Sequence, residues 1–377
     1  MVRLSLCMIV KDEEKFLEQC LLSVQGLVDE IVIVDTGSTD KTKEIALRFT
    51  SKVYDFVWGD DFAAARNESL KYATGEWILI LDADEVIAQQ DHTIIKGLLM
   101  RAETERDIYG YILIQRNYFR SKEDSQYGSF SGITVSAASQ DGEGFISAEN
   151  DNYEESKGME GWLATPIVRL CKNTGSTAFS GVVHEDVSPS LPGRIIKTGI
   201  VLHHFGKIDS QNWQRKWELY EKLGKKKAFN GENDYYAYFE LGRQYLENRK
   251  IDLAIEMLRK SIELNTDFWL SWFNLGTVEL ITGKIDGAIL GLEKARAINP
   301  QVGQIYDNLG VAYAQRKQFE KAIEIFNLGI GVAPEKASLY KHVGRCYYDL
   351  GRQKEAYLAF KKALELNPRY KTEIKLS

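Results

Sequence analysis

The second half of the chain repeats with a period of 34 residues, and this repeat restricts the fold more than any other feature. Glycine and alanine recur at this step, and so does proline. The columns are Gly242, Gly276, Gly310 and Gly344; Ala254, Ala288, Ala322 and Ala356; and Pro300, Pro334 and Pro368, with Thr266 in the missing place. Small residues let two antiparallel helices approach closely, and proline ends the second helix of each unit. The columns therefore predict a stack of helix pairs.

A large aromatic residue stands four positions before each glycine of the repeat. These residues are Tyr238, Trp272, Tyr306 and Tyr340. Their rings would fill the space between the two helices of a unit. With its closing proline, the pattern resembles the tetratricopeptide repeat over about residues 235–370. The resemblance implies an all-α solenoid of four repeats, whose concave surface binds a protein or peptide, either as a substrate or as a partner.

The first half of the chain alternates predicted strands and helices. Apolar runs typical of buried strands are LSLCMIV, EIVIVD, KVYDFV and GEWILILDAD. Helices are predicted between them over residues 14–25, 39–49 and 63–73. Strands that alternate with helices indicate an open, mostly parallel sheet covered on both faces. The fold class is therefore α/β, followed by the all-α repeats.

The length of the chain also favours two domains. A chain of 377 residues is too long for one ordinary hydrophobic core. We place the boundaries at 1–208 for the α/β domain, 209–234 for a connecting helix, 235–370 for the repeats and 371–377 for a tail.

Composition excludes several classes of protein. A net charge of -6 argues against a nucleic-acid partner, because such domains usually carry a basic surface. The four cysteines are scattered and form no Cys-x-x-Cys pair, which disfavours a zinc site or a disulfide framework. Neither a secretory signal nor an apolar run of ~20 residues is visible, so no transmembrane segment is predicted. The expected location is the cytoplasm, and the sequence leaves a homodimer open.

The second predicted strand ends in Asp35-Thr-Gly-Ser, the tetrapeptide that carries the catalytic carboxylate of aspartic proteases. Those enzymes share one proton between two carboxylates, each delivered by its own turn. The nearest second copy is NTGST, in which Asn173 takes the place of the aspartate. An amide cannot share that proton, so the sequence disfavours a protease. The tetrapeptide also predicts a turn that caps the next helix.

Acidic residues follow three of the predicted strands. They are Asp12-Glu13, Asp35 and the pair Asp82-Ala83-Asp84. In open α/β sheets, ligands bind beyond the carboxyl ends of the strands. Two carboxylates at this spacing can act together on a hard divalent cation, which in turn can bridge a pyrophosphate. A solvated turn is the plain structural alternative.

The stretch ILILDADEV has a second interpretation. It also matches the nucleophile loop of haloacid-dehalogenase-type phosphatases. That family places the loop after its first strand and adds an acidic pair downstream. Here the loop follows the fourth predicted strand without a convincing acidic pair, which disfavours a phosphatase.

Taken in order, the motifs resemble a family two glycosyltransferase with the GT-A fold. They are SLCMIVKDEE, EIVIVDTGSTDKT, DDFAAARNESLKYATGEWILILDADE and FSGVVHED, and they span roughly residues 1–206. The first motif of this chain differs from Pro-x-Tyr-Asn-Glu, which is common in the family. The form found here is typical of members with tetratricopeptide tails. The resemblance implies inverting, metal-dependent transfer from a nucleoside-diphosphate sugar to a protein, a peptide or a cell-surface glycan precursor.

The resemblance assigns roles at the first two strand ends. Asp35 would accept a hydrogen bond from the imide N–H of a uracil or thymine ring. The backbone at Val10 and the carboxylate of Glu13 would hold the nucleoside. The implied donor is therefore a UDP-linked sugar.

The resemblance also assigns residues to the diphosphate. Arg66 would lie near the phosphates as a charged donor, with a surface arginine as the alternative. Asp82 and Asp84 would flank the ribose and bind Mn²⁺ or Mg²⁺. In the stretch LHHFG, His204 would be a third metal ligand or a phosphate contact, while His203 would point to the other face of the strand. A structural core histidine is the alternative for both.

An inverting transfer needs one general base, and the stretch VVHEDV supplies the candidates. The resemblance favours Glu185, with Asp186 as the alternative, because one residue of slippage would exchange their roles. His184 would orient or pack beside them at the substrate. The structural alternative is an acidic cluster at a helix N-terminus.

Two longer segments carry further expectations. Residues 122–161 are polar and aperiodic, which suggests a lid over the donor or a tolerated insertion. The helix beginning at NWQRKW carries an aromatic stripe of Trp213, Trp217 and Tyr220. A second hypothesis for the whole chain is a repeat scaffold with an inactive transferase domain, which the complete set of acidic residues disfavours.

Overall fold

The computed structural model describes residues 3–120, 129–130, 133–134, 146–149, 151–181, 185–208, 210–230, 234–372 and 374. Contacts divide the chain into two units. The first contains residues 1–125 and 145–223, and the second contains residues 126–144 and 224–377. The first unit is α/β and the described helices of the second unit stack as repeats, so the predicted fold class is confirmed.

Four parallel strands form the part of the first unit that the sequence predicted. They are β1 (Leu4–Val10), β2 (Glu30–Asp35), β3 (Val53–Asp55) and β4 (Trp77–Ile80). Their order in the sheet is β3-β2-β1-β4. The register sets Val10 opposite Asp35, so β1 and β2 end side by side. All four strands therefore bring their carboxyl ends to one edge.

The rest of the sheet is mixed, which corrects the prediction of a mostly parallel sheet. Its strands are β5 (Glu85–Ile87), β6 (Ile108–Phe119), β9 (Ile146–Ser147), β10 (Gly161–Lys172) and β11 (Arg194–His204). Strand β10 lies antiparallel between β4 and β6, and β11 is parallel to β6 but antiparallel to β5. Antiparallel neighbours need no crossover helix, and no α-helix is described between β6 and β11, so the strand–helix alternation that revealed the first four strands does not continue there.

The helices of the first unit are shorter than predicted and include one that was missed. They are α1 (Leu17–Ser23), α2 (Thr42–Leu47), α3 (Phe62–Lys71), α4 (His92–Thr104, not predicted) and α5 (Ser210–Asn230), which continues into the second unit. Helix α2 begins three residues later than predicted, and the Thr39 N–H before it donates to Asp12 Oδ1. Among the described helices, none has both the length and the hydropathy needed to cross a membrane.

Side chains are buried on both faces of the parallel strands. Along β1, Leu6 and Met8 join one apolar cluster with α1 and α4, while Cys7 joins another with α3. Strands covered on both sides have no polar face, and this explains why their sequences are continuous apolar runs.

Eight described helices of the second unit form four antiparallel pairs. They are α6 (Tyr235–Glu247), α7 (Ile251–Leu264), α8 (Trp269–Ile281), α9 (Ile285–Ile298), α10 (Gly303–Gln315), α11 (Phe319–Val332), α12 (Ala337–Asp349) and α13 (Gln353–Leu366). Two short strands, β7 (Ser129–Phe130) and β8 (Ile133–Thr134), also belong to this unit and pair with each other.

The repeat columns act as the sequence predicted. A Cβ atom at Gly310 would lie 2.3 Å from the ring of Phe326, so only glycine allows this approach. The aromatic column has a further role. Its polar tips donate to the carbonyl six residues earlier, as Tyr306 does to Pro300 at 3.0 Å and Trp272 does to Thr266 at 2.8 Å. These bonds hold the start of each pair against the end of the preceding one.

Candidate active site

The predicted acidic residues lie at the carboxyl edge of the parallel strands. Glu13 follows β1, Asp35 ends β2, and Asp82 and Asp84 follow β4. Ion pairs connect the acids of β1 and β4 with groups from distant parts of the chain. Lys216 bridges Glu13 and Asp84, and an arginine bridges Asp82 to the loop before β11.

Asp82 is held by two arginines. Arg66 Nη2 lies 2.5 Å from its Oδ1 atom, and Arg169 Nη2 lies 2.7 Å from its Oδ2 atom. Burial alone would raise the pKa of Asp82, but the two guanidinium groups outweigh it and hold this pKa well below its usual range. Both oxygens of Asp82 are therefore committed to arginine.

Arg66 is buried and is not the surface arginine of the alternative interpretation. Its side chain also donates from Nε to Glu185 Oε1 at 2.6 Å, and its guanidinium lies over the ring of Phe179. Arg66 thus joins Asp82 to Glu185. The structure therefore brings together three predicted residues. They are Arg66, predicted to contact the phosphates, Asp82, predicted to bind the metal ion, and Glu185, the predicted base.

Arg169 and Glu85 belong to the same network, but sequence reasoning missed both. Arg169 donates to Glu85 Oε1 at 3.0 Å, and the fully buried Glu85 accepts from the backbone N–H of Asp82 at 2.8 Å. The signal was present, because an arginine within the apolar run PIVRLC of β10 must find a buried partner. Glu85 was visible as a third acid directly after Asp84.

Asp84 has a different set of partners. Its Oδ2 atom lies 3.0 Å from Lys216 Nζ and 3.5 Å from His204 Nε2. Burial opposes ionisation, but Lys216 and His204 outweigh it and hold the pKa of Asp84 well below its usual range. Gly206 is required here, since a Cβ atom at that position would collide with Asp84 Oδ2. The other oxygen, Oδ1, is buried and finds no hydrogen-bond partner in the described part of the chain.

Glu13 accepts from the other side of the same ammonium. Lys216 Nζ lies 2.8 Å from Glu13 Oε1. Burial raises the pKa of Glu13 to about 6, against the opposing effect of Lys216. Its second oxygen, Oε2, is also buried without a partner among the described side chains and backbone. Lys216 was not predicted, because its helix was interpreted from its aromatic stripe alone.

The residues fit a divalent cation only if the donor supplies most of its ligands. Within the described ranges, no three or more histidine, cysteine, aspartate or glutamate side chains form a group that could hold a metal ion. Asp82 is committed to two arginines, which leaves Asp84 Oδ1 as the open carboxylate oxygen of the pair. Mg²⁺ typically binds through one or two carboxylates together with substrate phosphates. The arrangement fits a cation that arrives with a diphosphate.

Asp35 shapes its turn with one carboxylate oxygen and leaves the other without a hydrogen-bond partner in the described chain. Its Oδ1 atom accepts from the N–H groups of Gly37 and Ser38, each at 2.7 Å. Its Oδ2 atom is buried and lacks a partner within the described residues. The neighbouring Val10 carbonyl accepts from the backbone and hydroxyl of Thr36, at 3.0 and 3.1 Å. The turn and the site therefore use opposite oxygens of one carboxylate.

The two candidates for the base have different surroundings. Glu185 lies against Arg66, whereas Asp186 Oδ1 accepts from the backbone and hydroxyl of Ser188, at 2.9 and 2.7 Å. Asp186 thus forms a local turn with Ser188, the first residue of a short 3₁₀ helix. His184 lies outside the described residues.

The two histidines of β11 contact different groups. His204 Nδ1 lies 2.9 Å from Asn117 Oδ1, which leaves Nε2 facing Asp84. His203 is fully buried, with Nδ1 2.7 Å from the hydroxyl of Tyr118. Burial, aided by a nearby arginine, lowers the pKa of His203 to about 3, so it remains neutral. His203 is therefore placed for packing and His204 for the site.

The predicted lid and aromatic stripe are only partly described. Much of residues 122–161 lies outside the described ranges, but Asp151 pairs with Arg116 at 2.7 Å. On α5, Trp217 is buried and the ring of Tyr220 lies 5.5 Å from that of Phe62. The side chain of Trp213 is outside the described set.

Comparison with known proteins agrees with both parts of the chain. The model of glycosyl transferase family 2 matches residues 5–140. Tetratricopeptide repeat models match residues 239–302, 303–336 and 337–370.

Several curated relatives support the same assignment. The chain is 25% identical over 264 residues to the SPbeta prophage-derived glycosyltransferase SunS of Bacillus subtilis, which covers 67% of this chain and 52% of that protein. It is 40% identical over 137 residues to a TPR repeat-containing protein of Synechococcus elongatus, 34% of each chain. It is also 31% identical over 90 residues to an uncharacterized glycosyltransferase of Rickettsia typhi, 24% of this chain and 30% of that one.

The chain thus spans between about a third and a half of the length of these relatives. The family 2 match ends at residue 140, so within the first unit it covers strands β1 to β6, and the repeat matches cover the helix pairs from residue 239 to residue 370. The chain joins a glycosyl transferase family 2 domain to a C-terminal series of tetratricopeptide repeats.

Proposed function

We propose that the first unit transfers a sugar from a nucleoside-diphosphate sugar, with UDP as the carrier. The observation that carries this proposal is a set of open carboxylate oxygens at one sheet edge. Glu13 Oε2, Asp35 Oδ2 and Asp84 Oδ1 are each buried without a hydrogen-bond partner in the described chain. A buried acceptor without a partner costs about 1–3 kcal/mol. A ligand that brings donors and a cation to these three atoms would recover that cost.

The base would bind at Asp35. Its Oδ2 atom is an acceptor held rigid by the two N–H bonds to Oδ1. The imide N–H of uracil is a donor of matching type. Val10 lies opposite Asp35 in the register of the sheet, so a nucleoside bound there passes both Val10 and Glu13.

The diphosphate would lie between Asp84 and Arg66. When bound, Mn²⁺ or Mg²⁺ neutralises the charge that develops on the departing nucleotide. Asp84 Oδ1 would hold that cation, with His204 orienting the carboxylate through Oδ2. Asp82 holds Arg66 and Arg169 in place through its two oxygens.

Glu185 is the proposed general base. Arg66 fixes its Oε1 atom, and Oε2 would take the proton from the acceptor as the acceptor attacks the anomeric carbon. The bond from that carbon to the nucleotide breaks on the opposite face, so the configuration inverts. His184 remains a predicted substrate contact beside this base.

The repeats would bind the acceptor or a partner protein. Stacked helix pairs present extended surfaces that commonly bind peptides. We propose a protein or peptide as the acceptor, with a cell-surface glycan precursor as the alternative. The four buried cysteines are free thiols, which fits a reducing compartment such as the cytoplasm.

A panel of nucleotide sugars tests the proposal. Each compound is added with Mn²⁺ or Mg²⁺, and thermal stabilisation and sugar release are measured. UDP-linked sugars are expected to raise the melting temperature and to be hydrolysed slowly in the absence of an acceptor. If no nucleotide sugar stabilises or reacts with the protein, the first unit is an inactive domain that supports the repeats.

A further inference from the structure

An ammonium group occupies the place between the two acids where a cation is expected. Lys216 Nζ lies 2.8 Å from Glu13 Oε1 and 3.0 Å from Asp84 Oδ2. Both carboxylates are almost completely buried, with side-chain exposures of 8% and 3%, and that of Lys216 is 29%. The lysine comes from α5, far in sequence from both acids.

We propose that Lys216 and a divalent cation compete for Asp84, so that the cation binds weakly by itself and tightly only together with the diphosphate of the donor. The competition rests on the geometry of Lys216, whereas the identity of the donor rests on the proposed function. Lys216 is a positioning residue in this scheme, because it acts on the cation through Asp84.

The competition follows from charge and distance. A divalent cation on Asp84 would lie within a few ångströms of the Lys216 ammonium, and repulsion at that range is strong where water is scarce. The carboxylates of Glu13 and Asp84, at 2.8 and 3.0 Å from Nζ, favour the charged form of Lys216. The ammonium therefore keeps its charge and neutralises the site when no donor is present.

The donor would change this balance by bringing its own negative charge. A diphosphate offers oxygens both to a metal ion and to an ammonium, so each cation gains a partner of its own. The lysine stem is long and flexible, and it can move from Asp84 without a change in the helix. The open atoms Asp84 Oδ1 and Glu13 Oε2 are then available to the incoming ligands.

Metal affinity without nucleotide tests the competition directly. Isothermal titration of the full chain with Mn²⁺ alone is compared for the wild type, K216M, K216R and K222M. Lys222 is an exposed lysine on the same helix, so K222M removes the same charge at a different position. K216M is expected to bind Mn²⁺ at least about tenfold more tightly than the wild type, because the competing charge is gone. K216R and K222M are expected to match the wild type.

Equal Mn²⁺ affinities of K216M and the wild type would overturn the proposal. So would an equal gain in K222M, since the effect would then be one of net charge only. Because no nucleotide is present, these results do not depend on the donor. Failure of every nucleotide sugar to bind would overturn the proposed function and leave the competition standing.

A measurement on the wild type covers the case in which K216M does not fold. Lysines are labelled by reductive methylation, and the modification of Lys216 is followed by mass spectrometry as Mn²⁺ is added. Competition predicts that labelling of Lys216 rises severalfold as the metal saturates, while labelling of Lys222 stays constant. Unchanged labelling of Lys216 at saturating metal would show that both cations bind together.

Discussion

At the scale of single residues, the strand-end acids differ more than their sequence suggests. Asp82 gives both oxygens to arginines, Asp84 gives one to Lys216, and Asp35 gives one to its own turn. Of these three, only Asp84 and Asp35 have a buried oxygen without a hydrogen-bond partner in the described chain. The motif Asp-x-Asp thus combines a residue that pairs with two arginines and a residue that keeps one oxygen without a partner among the described residues.

The general base is the first residue to test. E185Q keeps the hydrogen bond from Arg66 but removes the carboxylate that would take the proton, so transfer is expected to fall by about 10²–10⁴-fold. UDP binding, measured by calorimetry, should be unchanged. D186N is the matched control. Asp186 accepts a hydrogen bond from the Ser188 N–H, so its replacement should affect stability more than turnover. Normal transfer by E185Q would place the base elsewhere.

At the scale of elements, the sequence predicted strands that are buried on both faces and missed those that lie outside the regular alternation of strands and helices. The continuous apolar runs of β1, β2 and β4 fit few structures other than a buried strand. Strands β6, β10 and β11 mix polar and apolar residues and pair without crossover helices, so neither the run nor the alternation is present. The repeats were predictable because their spacing is fixed by helix packing at every copy.

The same distinction applies to the site. Acids at strand ends could be found from the sequence because the carboxyl ends of parallel strands meet at one edge. Arg169 on β10 and Lys216 on α5 reach that edge only through the tertiary fold. Sequence reasoning therefore found the negative charges except Glu85, and of the positive ones it found Arg66 but missed Arg169 and Lys216.

Glu30 on β2 binds Ser5 on β1 and Lys52 directly before β3. These contacts predict that the stability of the fold depends on pH. Glu30 accepts from Lys52, Ser5 and Thr74, including the Thr74 N–H at 2.7 Å. Burial opposes ionisation, but these donors outweigh it and lower the pKa of Glu30 to about 2. The ionised form therefore stabilises the fold at pH values above the usual glutamate pKa, and this contribution is lost as the pH falls towards 2.

Urea unfolding of E30Q at several pH values checks this. At neutral pH the variant is expected to lose about 1–3 kcal/mol of unfolding free energy, and the difference should vanish near pH 2. E18Q is the control, because the pair of Glu18 with Arg48 is half-exposed and contributes less than about 1 kcal/mol. A pH-independent difference in E30Q would contradict the assigned contacts.

The glycine column gives a prediction for the helix pairs. G310A would place a methyl group against the fully buried ring of Phe326, which should destabilise the second unit by about 1–3 kcal/mol. Gly331 on α11 has open space at its Cβ position, so G331A should be neutral or stabilising by up to about 1 kcal/mol. Denaturant unfolding monitored by circular dichroism distinguishes the two. Equal effects would mean that close packing does not determine the column.

At the scale of the whole molecule, one chain combines a unit with acidic residues at one sheet edge and a unit of stacked helix pairs. Within the described ranges, the buried carboxylate oxygens without a hydrogen-bond partner lie in the first unit, at residues 13, 35 and 84. The repeats supply helix pairs with a regular 34-residue spacing. This division suggests that donor chemistry and acceptor choice are separable.

Truncation before Tyr235 tests that separation. Loss of the repeats is expected to reduce transfer to the acceptor far more than hydrolysis of the donor, since the donor site belongs to the first unit. Both rates are measured with the same nucleotide sugar, and UDP binding reports whether the shortened chain is intact. An equal loss of both rates, with UDP binding also lost, would mean that the repeats stabilise the first unit.

Calorimetric titration with UDP in the presence of Mn²⁺ tests most directly whether the strand-end carboxylates form one nucleotide site. The wild type is expected to bind one UDP, and D35N is expected to bind it at least about tenfold more weakly, because the amide replaces the acceptor of the imide N–H. Absence of UDP binding by the wild type, or equal affinity of D35N, would contradict a base site at Asp35.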